Sequence, residues 1–169
     1  HCKLGEVCNY GRNEIILPKD MERGKFLLDL EDIEKDSGRL LKKKFFDGTN
    51  TKSSKYIFRC GNVLYGKLRP YLNKVIIAEE DGYCSSEILP LNFDKKILSR
   101  FAQAYLLSPS FVRYANKNSY GTNMPRLGTR AGRQAPFPVP TLAEQKEIVR
   151  ILDDLLEREQ RAKEFAART

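Results

Sequence analysis

The chain has 169 residues, 41% of them apolar, and a net charge of +8, enough for one cored domain or one domain plus an appendage. Residues 142–169 hold six Lys/Arg against seven Asp/Glu, so residues 1–141 carry a net +9, a balance that suits a polyanionic partner. No apolar run reaches membrane-spanning length and no signal peptide is visible, which argues for a cytoplasmic protein with no membrane partner.

In chain order, Lys3 to Tyr10 reads as a short helix or strand closed by Gly11. Glu14 to Leu17 is an apolar run stopped by Pro18, and Lys25 to Leu30 reads as a strand. Asp36 to Gly38 is a turn. Lys42, Lys43 and Lys44 then lead through Phe45-Phe46 into a polar stretch ending in Lys52 and Lys55; a Lys-rich, Gly-containing loop is expected to be mobile and to face a nucleic acid. Tyr56 to Phe58 leads to Gly61, Lys74 to Ala78 is a strand, and Asp81-Gly82 has the residues of a hairpin turn. Val63 to Leu91 is thus expected to form one small antiparallel sheet. Within it, Lys67 and Arg69 share parity with Tyr65 and Tyr71, so an extended backbone would put basic and aromatic groups on one face. Asp94 to Leu107 is predicted helical, with Ile97, Phe101, Ala104 and Leu107 as its apolar face. Ser108-Pro109 ends it and caps a second helix carrying Phe111 and Ala115.

Tyr120 to Gln145 is the junction of the chain. Gly121 to Gly132 reads as turns with Arg126 and Arg130. Pro136, Pro138 and Pro140 alternate with Phe137 and Val139, which predicts a stiff extended strut. Thr141 and Glu144 match a capping box, opening a helix towards Arg168. Its stripe of Ile148, Val149, Ile151, Leu152, Leu155 and Leu156 is too apolar for water. It is expected to join a bundle with helices of other chains, held away from its own domain by the strut, or to fold back on that domain. The domain split is 1–140 and 141–169. The fold class is α+β: a mixed, mainly antiparallel sheet with short helices, then one long C-terminal helix.

Catalytic chemistry finds no assembly of residues. No Gly-rich cofactor loop follows a strand. His1 is the sole histidine, and Cys2, Cys8, Cys60 and Cys84 contain no C-x-x-C pair, which argues against zinc and for reduced thiols. Glu144-x-Lys146 has the local look of a nuclease pair, but the capping box accounts for Glu144. The expectation is no catalytic residue, no metal and no cofactor.

The residues Gly121 to Leu127 (GTNMPRL) and Pro136 to Asp153 (PFPVPTLAEQKEIVRILD), with Gly61 to Val75 (GNVLYGKLRPYLNKV) and Leu4 to Cys8 (LGEVC) upstream, resemble the target-recognition domain of a type I restriction–modification specificity subunit. These segments occur in family order and span nearly the whole chain. The resemblance implies a non-catalytic subunit that reads one half of a bipartite site on double-stranded DNA. Methylation and restriction subunits would supply the chemistry, and the helix from Thr141 would be the conserved spacer that docks the methylation subunit. The expected DNA contacts are Lys43, Lys44, Lys52, Lys55, Lys67 and Arg69, with Arg12, Asn123 and Arg126 beside them. A typical specificity subunit has two recognition domains and two helices; here there is one of each, and the first residue is not Met. The chain is therefore expected to be a piece of a longer chain or a half-subunit that pairs with a copy of itself through the helix. The rival readings are the recognition piece of a fused methylase–nuclease, a stand-alone nuclease, and a non-specific DNA- or RNA-binding module.

Overall fold

The computed structural model describes residues 1–169. In chain order the elements are β1 (Cys2–Lys3), α1 (Leu4–Val7), β2 (Ile15–Ile16), β3 (Phe26–Leu28), β4 (Lys44–Phe45), β5 (Lys55–Phe58) and β6 (Val63–Gly66). They continue with β7 (Val75–Ile77), β8 (Gly82–Cys84), β9 (Ile88–Leu91), α2 (Ser99–Leu107), α3 (Pro109–Asn118), α4 (Thr129–Gln134), β10 (Pro136–Phe137) and α5 (Leu142–Arg168). Single 3-10 turns lie at Pro18–Asp20, Leu30–Asp32 and Pro70–Leu72. The fold is α+β. A five-stranded sheet runs β2-β5-β8-β3-β4, a three-stranded one runs β7-β6-β9, and β1 pairs with β10. All pairings are antiparallel except β3 with β8.

The expected single sheet over Val63 to Leu91 is corrected by β8. Strands β6, β7 and β9 pair as anticipated, but β8 leaves them and inserts between β5 and β3. Asp81-Gly82 is therefore a crossover and not a hairpin turn; the Asp81 carboxylate accepts a hydrogen bond from the Cys60 amide at 2.8 Å. Gly82 makes the insertion sterically feasible. A Cβ at this position would stand 2.4 Å from the Phe26 carbonyl oxygen and 2.6 Å from the Phe58 ring, so only a bare backbone fits between the two neighbours.

Helix α2 starts at Ser99 because the preceding residues close a turn on Asp94, whose carbonyl accepts from the Ile97 amide at 2.9 Å. Its buried face is Phe101, Ala102 and Leu106, with Ile97 ahead of it, and Ala104 and Leu107 are only half-buried. Helix α3 follows the sequence closely: Ser108 caps it, and Phe111 and Ala115 are buried. Helix α4 falls where only turns were expected. Gly132 lets it lie against Tyr10, whose ring a Cβ would meet at 2.1 Å. The Tyr10 hydroxyl donates to the Leu127 carbonyl at 2.8 Å.

The larger core joins Leu4, Tyr10, Tyr65, Phe101, Phe111 and Phe137 between the three-stranded sheet and the helices. A second core, with Phe26, Phe58, Leu64 and Ile88, lies between the two sheets. Cys8 and Cys84 belong to this interior. Burial pushes the Cys8 thiol up to about 12 and the Cys84 thiol higher still, so both stay protonated and inert. No helix is long and apolar enough to cross a membrane.

Candidate nucleic-acid interface

The cations singled out in the sequence fall into three places. The first is the loop joining β4 to β5. Lys44 lies 2.9 Å from Asp29 and also pairs with Asp32. Lys55 approaches the same Asp29 at 3.7 Å and donates to the Ser53 hydroxyl at 3.1 Å. Asp32 is 3% exposed and Lys55 7%. Burial disfavours the Lys44 ammonium, but the hydrogen bonds and charges of Asp32 and Asp29 outweigh it and raise its pKa. Lys44 and Lys55 are therefore anchors at the base of the loop, with their charge already paired, and not free cations at its tip.

The tip carries its own order. The Asp47 carboxylate accepts from the Thr49 amide at 2.7 Å, the Thr49 hydroxyl at 2.8 Å and the Asn50 amide at 2.9 Å. The Asn50 amide group donates back to the Phe45 carbonyl at 2.9 Å. A segment expected to be mobile is thus closed as an Asx-type turn. Lys43 lies 2.5 Å from Glu80 and stands 5.3 Å and 5.6 Å over the rings of Phe26 and Phe45. Lys52 is exposed and forms no ion pair.

The second place is the corner where the chain beyond β6 meets residues 120–127. The Lys67 carbonyl accepts from the Leu127 amide at 3.0 Å, and the Arg69 amide donates to Pro125 at 2.7 Å. Tyr120 and Arg126 exchange backbone hydrogen bonds of 3.0 and 2.9 Å. Arg126 grips Glu87 through Nε at 2.9 Å and Nη2 at 2.7 Å. This spends the Arg126 charge inside the fold and leaves Lys67, Arg69 and Asn123 without ion-pair or side-chain partners. The alternation expected of Tyr65, Lys67, Arg69 and Tyr71 is not kept. Tyr65 is buried against Tyr10 and Phe111, β6 ends at Gly66, and Arg69 turns left-handed at φ 50°. Tyr71 consequently faces outward at 52% exposure.

The Arg126 hydrogen bonds hold the Glu87 carboxyl below its usual value of 4.5, with burial working the other way. A depressed acid contributes stability that is fully present above the unfolded value and is lost as pH falls through the folded one. Wild type and Glu87→Gln should therefore differ in urea midpoint at neutral pH and converge as pH drops below 4.5. A gap that stays constant to acid pH would show that this pair is not its source.

Arg12 occupies the third place, apart from the other two. It is exposed, and its backbone is tied to Asn9 on both sides, through an amide donated at 2.9 Å and a carbonyl accepting at 3.0 Å. Beside it, Arg59 pairs with Glu14 at 3.2 Å. The residues missed in the sequence are the acidic partners Asp29, Asp32 and Glu87. Their only local signal is the Asp29-x-x-Asp32 spacing of a reciprocal cap.

Helix α5 opens on the expected box: the Glu144 amide donates to the Thr141 hydroxyl at 3.2 Å, and the Thr141 amide to Glu144 at 3.3 Å. Gln145 is fully buried. It accepts from the Leu98 amide at 2.8 Å and donates to the carbonyls of Lys96 at 2.7 Å and Pro140 at 3.0 Å. Arg100 of α2 reaches Asp153 at 2.8 Å. The first turns of α5 are therefore docked on α2, with Val149 and Leu152 half-buried. Ile148, Ile151, Leu155 and Leu156 remain 37–54% exposed.

A family model described as the type I restriction modification DNA specificity domain matches residues 2–164. The chain is 38% identical over 103 residues to the type I restriction enzyme EcoDI specificity subunit of Escherichia coli, a match covering 61% of this chain and 23% of that protein. The crystal structure of the HsdS subunit from Thermoanaerobacter tengcongensis superposes with a TM-score of 0.82 at 22% identity, over 98% of this chain and 44% of that one. The S subunit of a type I restriction–modification system from M. genitalium superposes at 0.59 and 16% identity, over 94% of this chain and 39% of that one. At these identities the structural likeness speaks for the fold alone. The chain spans less than half the length of each of these relatives.

Proposed function

Because the chain belongs to the family of type I restriction modification DNA specificity domains, we propose that it reads one half of a two-part site on double-stranded DNA and directs partner methylation and restriction subunits to it. The observation that carries this reading is the division of the molecule into two unlike surfaces. The domain carries the positive charge, and Lys52, Lys67 and Arg69 stand on it without ion-pair partners. Helix α5 is close to neutral and exposes Ile148, Ile151, Leu155 and Leu156 along one stripe. Cations without internal partners suit phosphates, and an apolar helical stripe suits helices of a methylation subunit or of a second copy of this chain.

The chain itself is proposed to be non-catalytic and to act in the cytoplasm beside those subunits. Its best-placed carboxylates already have structural duties: Asp29 and Asp32 with Lys44, Glu87 with Arg126, and Glu144 in the α5 cap.

The test combines capture and selection. The chain should retain the cognate methylation subunit and enrich a short motif from a random DNA pool. Ile151→Asp with Leu155→Asp should abolish capture while keeping the enriched motif, because both positions are exposed. No capture and no enrichment would overturn the reading. Metal-dependent cleavage by the chain alone would favour the nuclease alternative, and equal affinity for random DNA and RNA the non-specific one.

A further inference from the structure

Phe45 and Phe46 are neighbours in the chain with opposite fates. Phe46 is buried with Met21, Leu27 and Tyr83. Phe45 is 46% exposed on β4, an edge strand of the five-stranded sheet. Its ring lies 6.4 Å from that of Phe26, yet it belongs neither to the hydrophobic clusters nor to the half-buried residues packed around them. Sheet edges are ordinarily guarded by charge, and Lys42, Lys43 and Lys44 lead into this one. An exposed aromatic ring weakens that guard, so folding does not explain its place there.

The ring is also held in position. The Lys43 ammonium, paired with Glu80, stands 5.6 Å over it, and the Asn50 amide group donates to the Phe45 carbonyl at 2.9 Å. Next along the chain, the Phe46 amide donates to the Lys25 carbonyl and its carbonyl accepts from the Gly24 amide, both at 2.8 Å. Arg23 lies across the loop tip: a Cβ at Gly48 would stand 2.7 Å from the Arg23 Nε. Arg23 and Lys52 are exposed and form no ion pair. The Asp47 carboxylate between them is spent on Thr49 and Asn50.

A fixed apolar ring beside free cations fits a partner in which phosphates flank a small apolar group. The major groove of duplex DNA is such a surface, and the 5-methyl group of thymine is its apolar group. A contact that sets preference has to differ between domains that read different targets. Phe45 meets this condition, because it lies outside the segments shared with the family, Leu4 to Cys8, Gly61 to Val75, Gly121 to Leu127 and Pro136 to Asp153. We propose that Phe45 contacts the 5-methyl group of one thymine in the major groove and helps determine sequence preference, while Arg23 and Lys52 hold the adjoining phosphates. This rests on the recognition reading above.

The experiment uses the full chain and the duplex enriched from the random pool, with each thymine in turn replaced by deoxyuridine, which removes the methyl group and keeps the base pair. Wild type should lose affinity about fourfold at one position, the scale of one buried methyl group. Phe45→Ala should bind the thymine and deoxyuridine duplexes equally at that position, with the salt slope of wild type. Phe45→Leu should keep most of the loss. Arg23→Ala should instead weaken both duplexes alike and reduce the salt slope by about one. Because Phe45 is exposed, its truncation opens no core cavity, and Phe45→Gln serves as the second variant. An enriched motif without thymine, or a wild type indifferent to every replacement, overturns the thymine contact while DNA recognition stands. Alanine and glutamine variants that both keep the fourfold loss overturn it equally. If Phe45→Ala loses capture of the methylation subunit and keeps that loss, the ring is a protein contact and the proposal fails. A wild-type chain that binds no duplex overturns the recognition reading, and the thymine contact with it.

Discussion

Phe137→Ala should destabilise the protein by about 3–5 kcal/mol, read as a lower urea midpoint. Phe137 is fully buried. Its ring lies 5.2 Å from that of Tyr105, 5.5 Å from Phe93 and 6.3 Å from Phe101. Its backbone pairs with Cys2 of β1, and the neighbouring Ala135 carbonyl accepts from the Leu4 amide at 2.8 Å. One side chain therefore ties the start of the chain, helix α2 and the approach to α5 into the larger core. Alanine would leave a cavity that none of these elements can close, because each is held by its own backbone hydrogen bonds. Phe137→Leu should cost clearly less, since it keeps most of the buried volume. Equal losses for the two variants would place the effect outside packing.

The same residue shows how much of this region could be read in advance. The alternation of Pro136, Phe137, Pro138, Val139 and Pro140 implies an extended backbone with Phe137 on one face. That face is the core, and Val139 is left 36% exposed. What alternation cannot say is where the strut lies. It leaves open whether α5 is held away or folds back on its own domain; the strut runs on the domain and delivers Gln145 into a buried site just ahead of α2. That contact depends on three backbone groups, at Lys96, Leu98 and Pro140, two of them remote in sequence.

Elements whose signal is local are legible: β7, the Ser108 cap of α3 and the Thr141 box of α5. Helix α4 was hidden because six residues, with Gly132 among them, are too few to show a period. The destination of β8 was hidden because it depends on Gly82 fitting between Phe26 and Phe58, which are 56 and 24 residues away. Among the candidate contacts, the Lys-rich pattern identified the cations but not their partners. Lys44, Lys55 and Arg126 look identical in sequence to free surface charges. Only the fold brings Asp29, Asp32 and Glu87 to them. The left-handed turn at Arg69 was likewise invisible, since a non-glycine residue at positive φ has no compositional marker.

Those hidden partners underlie the second large effect. Asp32→Ala should cost about 3 kcal/mol, at the lower end for breaking a buried ion pair because Lys44 still meets some water. It leaves Lys44 with Asp29 alone, and the Asp29 amide, which donates to Asp32 at 2.9 Å, loses its acceptor. Lys44→Met should cost at least as much as Asp32→Ala, because it strands the Asp32 carboxylate, 3% exposed, with only the Asp29 amide as partner. The double variant should fall well short of the sum of the singles, which is the signature of direct coupling. The consequence for recognition comes through the loop. Lys44 and Lys55 both reach Asp29, so this cluster sets the two ends of residues 46–54, while Asp47 shapes the tip between them. With one end released, Lys52 should be presented in many positions where the wild type offers one. In selection from a random pool, Asp32→Ala should then give a more degenerate motif at conditions where the protein remains folded. A motif as sharp as that of wild type, despite the lost stability, would show that the cluster supports the fold without positioning the loop for reading.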